Sequence, residues 1–182
     1  MIHDEDQGLV RQTLAGDGSA FERIVEKYQK TVFNVALRMT RETKDAEDIA
    51  QEVFLKAYER LESYKPEYRF FSWLYRIALN ESLNSLDQKK RFEGLDEEMA
   101  TDGPDPDEVA EANERSRKIA DAIMELKVDY RAVVVLKHFE GLSYEEIAQI
   151  LEISEKKVKS RLFTAREVLR DILLKRGLGS DD

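Results

Sequence analysis

The chain has 182 residues, 42% of them apolar and 37% charged, with three prolines, eight glycines and no cysteine. Such a composition excludes a disulfide scaffold, a thiolate metal site and a cysteine nucleophile, and it favours helix over turn-rich sheet. The 29 basic residues face 38 acidic ones, a net charge of −9 that argues against nucleic acid until it is mapped along the chain.

Nine carboxylates, Glu93 to Glu111, fall in one stretch without Lys or Arg and account for the whole excess. From Glu155 to Arg176 eight basic residues stand against three acidic. The longest apolar run, residues 132–136, is far short of the ~20 needed to span a bilayer. The start, Met1 to Asp6, is acidic and lacks the basic-then-apolar order of a secretion signal. A soluble, cytoplasmic protein is expected.

Taken in chain order, Ser19-Ala-Phe-Glu22 is a capping-box sequence. Behind it Phe21, Ile24, Val25, Tyr28, Val32, Val35, Ala36 and Met39 recur at helical spacing, which predicts a first helix. After a break at residues 40–44, Ala46, Ile49, Val53, Phe54, Ala57 and Leu61 predict a second over residues 45–61. Its polar face carries Asp45, Asp48, Gln51, Glu52, Lys56 and Glu59. Two readings fit that face, ordinary solvated surface or a dock for a basic partner helix.

Pro66 interrupts the helical period, and a third helix is predicted from about residue 71 to 86. Six of the thirteen residues from Tyr64 to Arg76 are aromatic, with three basic residues between them. Trp73, Leu74 and Ile77 read as core, but a Pro-bearing loop with Tyr64, Tyr68 and Phe70 is not expected to bury every ring. Exposed rings beside cations suit unstacked bases, each stack being worth ~1–3 kcal/mol. Phe71 lies in the same cluster, Asn80 and Asn84, one turn apart on the helix that follows, offer amides, and Lys89, Lys90 and Arg91 could clamp phosphate.

Residues 92–113 contain Pro104, Pro106, Gly94 and Gly103 and few large apolar side chains, so they read as a flexible acidic linker. The expected architecture is all-α, two small helical domains at residues 1–92 and 114–182 joined by linker 93–113. No strand and no internal repeat is predicted.

Past the linker, helices are predicted near residues 114–126, 129–139, 144–151 and 155–174. Gly141-Leu142 reads as a helix stop, Ser143-Tyr-Glu-Glu146 as a second capping box, Ile153 as a plug in the turn and Ser154 as the next cap. Two short helices across so tight a turn form a helix-turn-helix. Val158, Leu162, Ala165 and Leu169 make the inner stripe of the last helix. Lys156, Lys157, Lys159, Ser160, Arg161, Thr164 and Arg166 supply donors elsewhere, as a helix entering the major groove requires. A basic helix that merely caps a bundle is the plainer alternative.

Phe71-Ser-Trp-Leu-Tyr-Arg-Ile-Ala-Leu-Asn80, with Asp45-Ala-Glu-Asp-Ile-Ala-Gln-Glu-Val-Phe-Leu-Lys-Ala-Tyr58 before it, resembles the second conserved region of extracytoplasmic-function sigma factors. Gly141 to Ala148 and Val158 to Arg166 resemble the fourth. The resemblance implies that residues 45–61 dock on the clamp coiled coil of polymerase β′. It implies that the loop near residues 63–71 and the following helix, including Asn80, capture the minus-ten non-template strand, with one base flipped into a pocket. It further implies that the last helix reads the minus-thirty-five element through Lys159, Ser160, Phe163 and neighbours. Implied partners are core RNA polymerase (β′ clamp and β flap), promoter DNA and an anti-sigma factor, with the linker threading toward the active centre. Lys156-Lys157 stands where Gly-Thr is common and Thr164 where Arg is common, so promoter sequence does not transfer from relatives.

The rival is a stand-alone helix-turn-helix regulator, which leaves residues 64–73 and Asn80 without work. An enzyme is not expected. His3 lies in a terminus expected to fray, and His138 near a helix end reads as a dipole partner. No glycine-rich phosphate loop, catalytic triad, metal-spaced ligand pair or cofactor motif is present.

Overall fold

Eight α-helices run through residues 2–93 and 110–178, the part of the chain that the computed structural model describes. They are α1 (Ile2–Leu14), α2 (Gly18–Thr40), α3 (Thr43–Glu59), α4 (Phe70–Glu93), α5 (Ala110–Met124), α6 (Val128–Val134), α7 (Tyr144–Leu151) and α8 (Glu155–Lys175). A single 3-10 turn, Leu61–Ser63, follows α3, and no strand occurs among the described residues. Of the expected acidic linker at residues 93–113, residue 93 ends α4, residues 110–113 begin α5, and 94–109 lie outside the described residues.

The apolar period predicts no helix before residue 19, yet α1 packs on α2 through Leu9 and Val10, both 4% exposed. A polar tie completes the contact. The buried Asp6 carboxylate accepts from the Tyr28 hydroxyl at 2.7 Å and pairs with Lys27 at 2.5 Å. Burial and this carboxylate together push the Tyr28 hydroxyl well above the ordinary tyrosine range.

Helix α2 starts one cap earlier than the Ser19–Glu22 pattern predicts. Asp17 has the extended backbone an N-cap needs, and its carboxylate accepts from the Ser19 amide at 3.0 Å and the Ser19 hydroxyl at 2.7 Å. Ser19 is already helical, so its capping box with Glu22 does not form. Arg41, left-handed at φ 66°, closes α2 by donating its amide to Leu37. Helices α2, α3 and α4 then share a core in which Ile24, Val32, Met39, Val53, Leu74 and Ala78 are fully buried or nearly so. Helix α4 runs to Glu93, beyond the expected residue 86, and so carries Lys89, Lys90 and Arg91 as helical side chains.

In the C-terminal half, α6 widens into a π turn at Val135–Phe139. Gly141, at φ 67°, ends it, and the Leu142 amide donates back to Leu136 at 3.2 Å. The Ser143–Glu146 capping box forms in both directions, at 3.1 and 2.8 Å. Ile153 sits half-buried in the turn, and Ser154 accepts from the Lys157 amide to start α8. Val158, Leu162 and Ala165 are buried, and Leu169 packs at the edge of the same core.

The two halves meet along a seam, α4 against α7 and α2 against the turn after α6. Arg131, 6% exposed, donates across it to the Met39 carbonyl at 2.6 Å and within its own half to Met124 at 2.6 Å. It thereby satisfies one of the last carbonyls of α2, which a helix end otherwise leaves to water.

Candidate nucleic-acid interface

The loop between the 3-10 turn and α4 is built around a β-turn. Pro66 occupies its second position, and the Tyr68 amide donates to the Lys65 carbonyl at 3.1 Å. The Tyr64 hydroxyl donates to the Tyr68 carbonyl at 2.6 Å and ties the loop to itself. Behind it Tyr64, Phe70 and Trp73 form a three-ring cluster with centroids 5.3 to 5.7 Å apart, and Tyr28 of α2 adds a fourth ring at 5.9 Å from Phe70.

The rings do not share one role. Phe70 has no exposed surface and Tyr64 only 6%, whereas Tyr68 is 45% exposed. The loop does leave a ring uncovered, as expected, but of the three rings named for base contact only Tyr68 is open. Phe70 is core, because Tyr28 and Trp73 enclose it; Tyr64 is wall; Tyr68 alone of the three is a free face. Trp73 and Phe71 are half-buried, and Arg69 lies 5.8 Å over the Phe71 ring.

A cavity of about 440 Å³ opens against this wall, lined by Tyr64, Lys65, Tyr68, Ser72, Trp73 and Arg76 from this side. The Ser72 hydroxyl is 2% exposed and has no hydrogen-bond partner. Such a group costs about 1–3 kcal/mol unless something satisfies it. Trp73, Arg76, Asn80 and Asn84 follow at helical steps along α4, and both asparagines are exposed. Lys90 and Arg91 are exposed beyond them, but Lys89 is held at 2.6 Å by Asp45 and at 3.7 Å by Glu42. Of the three cations expected to clamp phosphate, Lys89 alone is thus ion-paired among the described residues in this conformation, to Asp45 of α3 and to its N-cap residue Glu42.

On α8, Lys156, Lys157, Lys159, Ser160 and Arg166 are exposed, and Phe163 is 69% exposed. Arg161 is not free: it pairs with Asp129 of α6, and Thr164 is half-buried beside it. A second cleft, about 580 Å³, lies between Lys90 of α4, Lys127 before α6 and Lys157, Ser160, Arg161 and Thr164. His138, expected as a dipole partner, lies in the π turn that ends α6. Burial first, then Arg166 and Lys137, lower its pKa, and Arg166 stands 3.5 Å from its ring nitrogen.

On α3, Asp48, Gln51 and Glu52 are exposed as expected. Asp45 is half-buried under Lys89, and Lys56 is tied to Glu52 at 3.0 Å and Glu81 at 2.7 Å. Leu55 and Tyr58, 60% and 56% exposed, stand among these acids and escape the sequence reading of the face, where an isolated apolar residue carries no signal of its side. A third groove, also about 580 Å³, is apolar and lined by Ile119, Ile123, Val134, Leu169 and Leu173.

The far side of the 440 Å³ cavity comes from the other half. Arg76 donates to the Gln149 carbonyl at 2.6 Å and the Glu152 carboxylate at 2.7 Å, and both partners line the cavity. Arg69 pairs with Glu146 at 3.1 Å, Arg41 with Asp121 at 2.7 Å and Arg38 with Glu140 at 3.5 Å. Burial raises the Glu140 pKa, against the lowering pull of Arg38 and the Tyr75 hydroxyl.

With this geometry in place, the family model of Sigma-70 region 2 matches residues 24–92, and that of Sigma-70, region 4 matches residues 116–169. The chain is 33% identical to the RNA polymerase sigma-H factor of Pseudomonas aeruginosa, over 93% of this chain and 94% of that one. It is 36% identical to the ECF RNA polymerase sigma factor SigW of Bacillus subtilis, over 88% and 92%. The solved structure of CnrH in complex with the cytosolic domain of CnrY is similar in fold, with a TM-score of 0.72 at 27% identity, covering 93% of this chain and 97% of CnrH.

Proposed function

This chain belongs to the extracytoplasmic-function group of the sigma-70 family, and on that footing we propose a division of labour along it. It is a sigma factor, which binds core RNA polymerase and directs promoter recognition and the start of transcription. Helix α3 docks on the β′ clamp through Asp48, Gln51 and Glu52, with Leu55 and Tyr58 as apolar anchors between the charges. The apolar groove beside α5 and α8 seats the β flap. Helix α8 reads upstream duplex through Lys156, Lys157, Lys159, Ser160, Phe163 and Arg166.

The cavity behind Tyr68 takes one flipped base of the separated minus-ten strand. The Ser72 hydroxyl carries this reading, because it is buried, unpartnered and set in a wall of rings. A base edge would satisfy it while Tyr64 and Trp73 flank the ring and Tyr68 stacks outside. Separating duplex costs on the order of 1.4 kcal/mol per base step, so a few captured bases hold a short bubble open. Asn80, Asn84, Lys90 and Arg91 track the strand along α4.

The protein works in the cytoplasm, beside the polymerase; among the described residues no helix is long and apolar enough to cross a membrane. An anti-sigma factor is the remaining partner. Run-off transcription with core polymerase, followed by sequencing of the starts, tests the whole reading. Tyr68→Ala and Asn80→Ala are expected to lower open-complex formation while core affinity holds. Intact open complexes in both variants, or a dimer binding duplex tightly without polymerase, overturn it.

A further inference from the structure

The base-capturing loop is held by side chains on two sides. From within, the Tyr64 hydroxyl donates to the Tyr68 carbonyl. From outside, the Gln7 side-chain amide of α1 donates to the Pro66 carbonyl at 2.6 Å, across 59 residues of sequence. Pro66 and Glu67 are the central residues of the turn, so this bond grips its tip. Gln7 is half-buried, and its neighbour Asp6 anchors α1 through Tyr28, whose ring packs on Phe70. Asp6 and Gln7 thus reach both ends of the loop, its tip directly and its Phe70 end through Tyr28. Both residues precede residue 24, where the match to region 2 begins.

We propose that α1 is a splint for the strand-capturing loop and that Gln7 is a positioning residue, fixing the residue 65–68 turn in the shape that lines the base cavity. The proposal rests on the base-capture reading above. A loop ordered before the strand arrives spares the ordering entropy of binding, so losing the bond lowers capture although Gln7 itself meets no DNA.

Gln7→Met tests this, because it keeps side-chain length, neutrality and helix propensity and removes the donor. Holoenzyme reconstituted from the full chain is assayed on duplex promoter DNA taken from the mapped starts, with Tyr68→Ala in parallel. Loss of one net hydrogen bond corresponds to about a fivefold fall in open-complex occupancy. The expected result is that fall, with core polymerase affinity unchanged and faster hydrogen exchange at the Tyr68 amide. Gln7→Ala should reproduce it.

If Gln7→Met leaves open complexes intact while Tyr68→Ala removes them, the splint is wrong and base capture stands. If neither variant has an effect, base capture falls and the splint with it. A parallel loss of polymerase affinity in Gln7→Met would make α1 a general brace and also overturn the proposal.

Discussion

Arg76 and Glu152 meet at 2.7 Å across the seam between the two halves, at the rim of the cavity that Tyr64, Tyr68 and Trp73 enclose. Glu152 is held in the left-handed region at φ 53°, where α7 ends, so the backbone of the helix-turn-helix itself presents this carboxylate. In this closed form Arg76 is committed to region 4 rather than to a strand.

Releasing that contact should favour strand binding by the free protein. Glu152→Asn tolerates the same left-handed backbone and removes the charge. We expect it to raise the affinity of the polymerase-free chain for the minus-ten single strand several-fold, measured by fluorescence anisotropy. Exposed pairs contribute only about 0–1 kcal/mol each, so a larger gain would mean that Glu152 blocks the cavity as well as pairing.

The division of the aromatic cluster into core and surface predicts two opposite phenotypes. Phe70→Ala should cost about 3–5 kcal/mol in urea unfolding, because it empties a fully buried ring site. Tyr68→Ala should stay within about 0.5 kcal/mol of the parent, yet lose open-complex formation. Equal stability losses in the two would contradict the assignment.

The seam should carry a pH signature through Glu140. Its pKa is raised in the fold by burial, so the folded state holds the proton more tightly than the unfolded chain. This contribution to stability is complete below the ordinary glutamate pKa of 4.5 and is lost as pH rises through the raised value. Glu140→Gln removes the dependence. The melting-temperature difference, variant minus parent, should therefore grow more positive as pH is raised from 4.5, and a flat difference would contradict it.

Electrolyte dependence should sort the cations of α8. Lys157 is exposed, and Lys157→Ala should reduce the slope of log affinity against log salt for upstream duplex by about 0.9. Arg161 is already paired, so Asp129→Ala, which frees it, should steepen the slope. Holoenzyme titrated on a minus-thirty-five duplex from 50 to 200 mM salt, roughly the usual working range, reads both.

Local signals were legible where the chain carries its own chemistry. The Ser143–Glu146 box, the Gly141 stop and the apolar steps of α2, α3 and α8 all appear at or near their expected positions. Helix α1 was not, because among its described residues Leu9 and Val10 are the buried apolar side chains, and its polar ties run to distant positions, Asp6 meeting Tyr28 22 residues away. The cap of α2 was misplaced because Asp17 and Ser19 are both good caps, and backbone geometry chooses between them. In the aromatic cluster, composition announced the rings but not which were enclosed. That depends on Tyr28 and Trp73 closing over Phe70. The ion pairs occupying Lys89 and Arg161 were invisible for the same reason, as each partner comes from another helix.

The cleft shared by Lys90 and Lys157 has a consequence for geometry. On the reading above, these two side chains serve promoter elements that are separate along the duplex, and even ten base pairs occupy about 34 Å. Here they border a single hollow. On that assignment the free chain holds no ruler for the gap between the elements, and Lys90 and Lys157 reach both only once this hollow has opened.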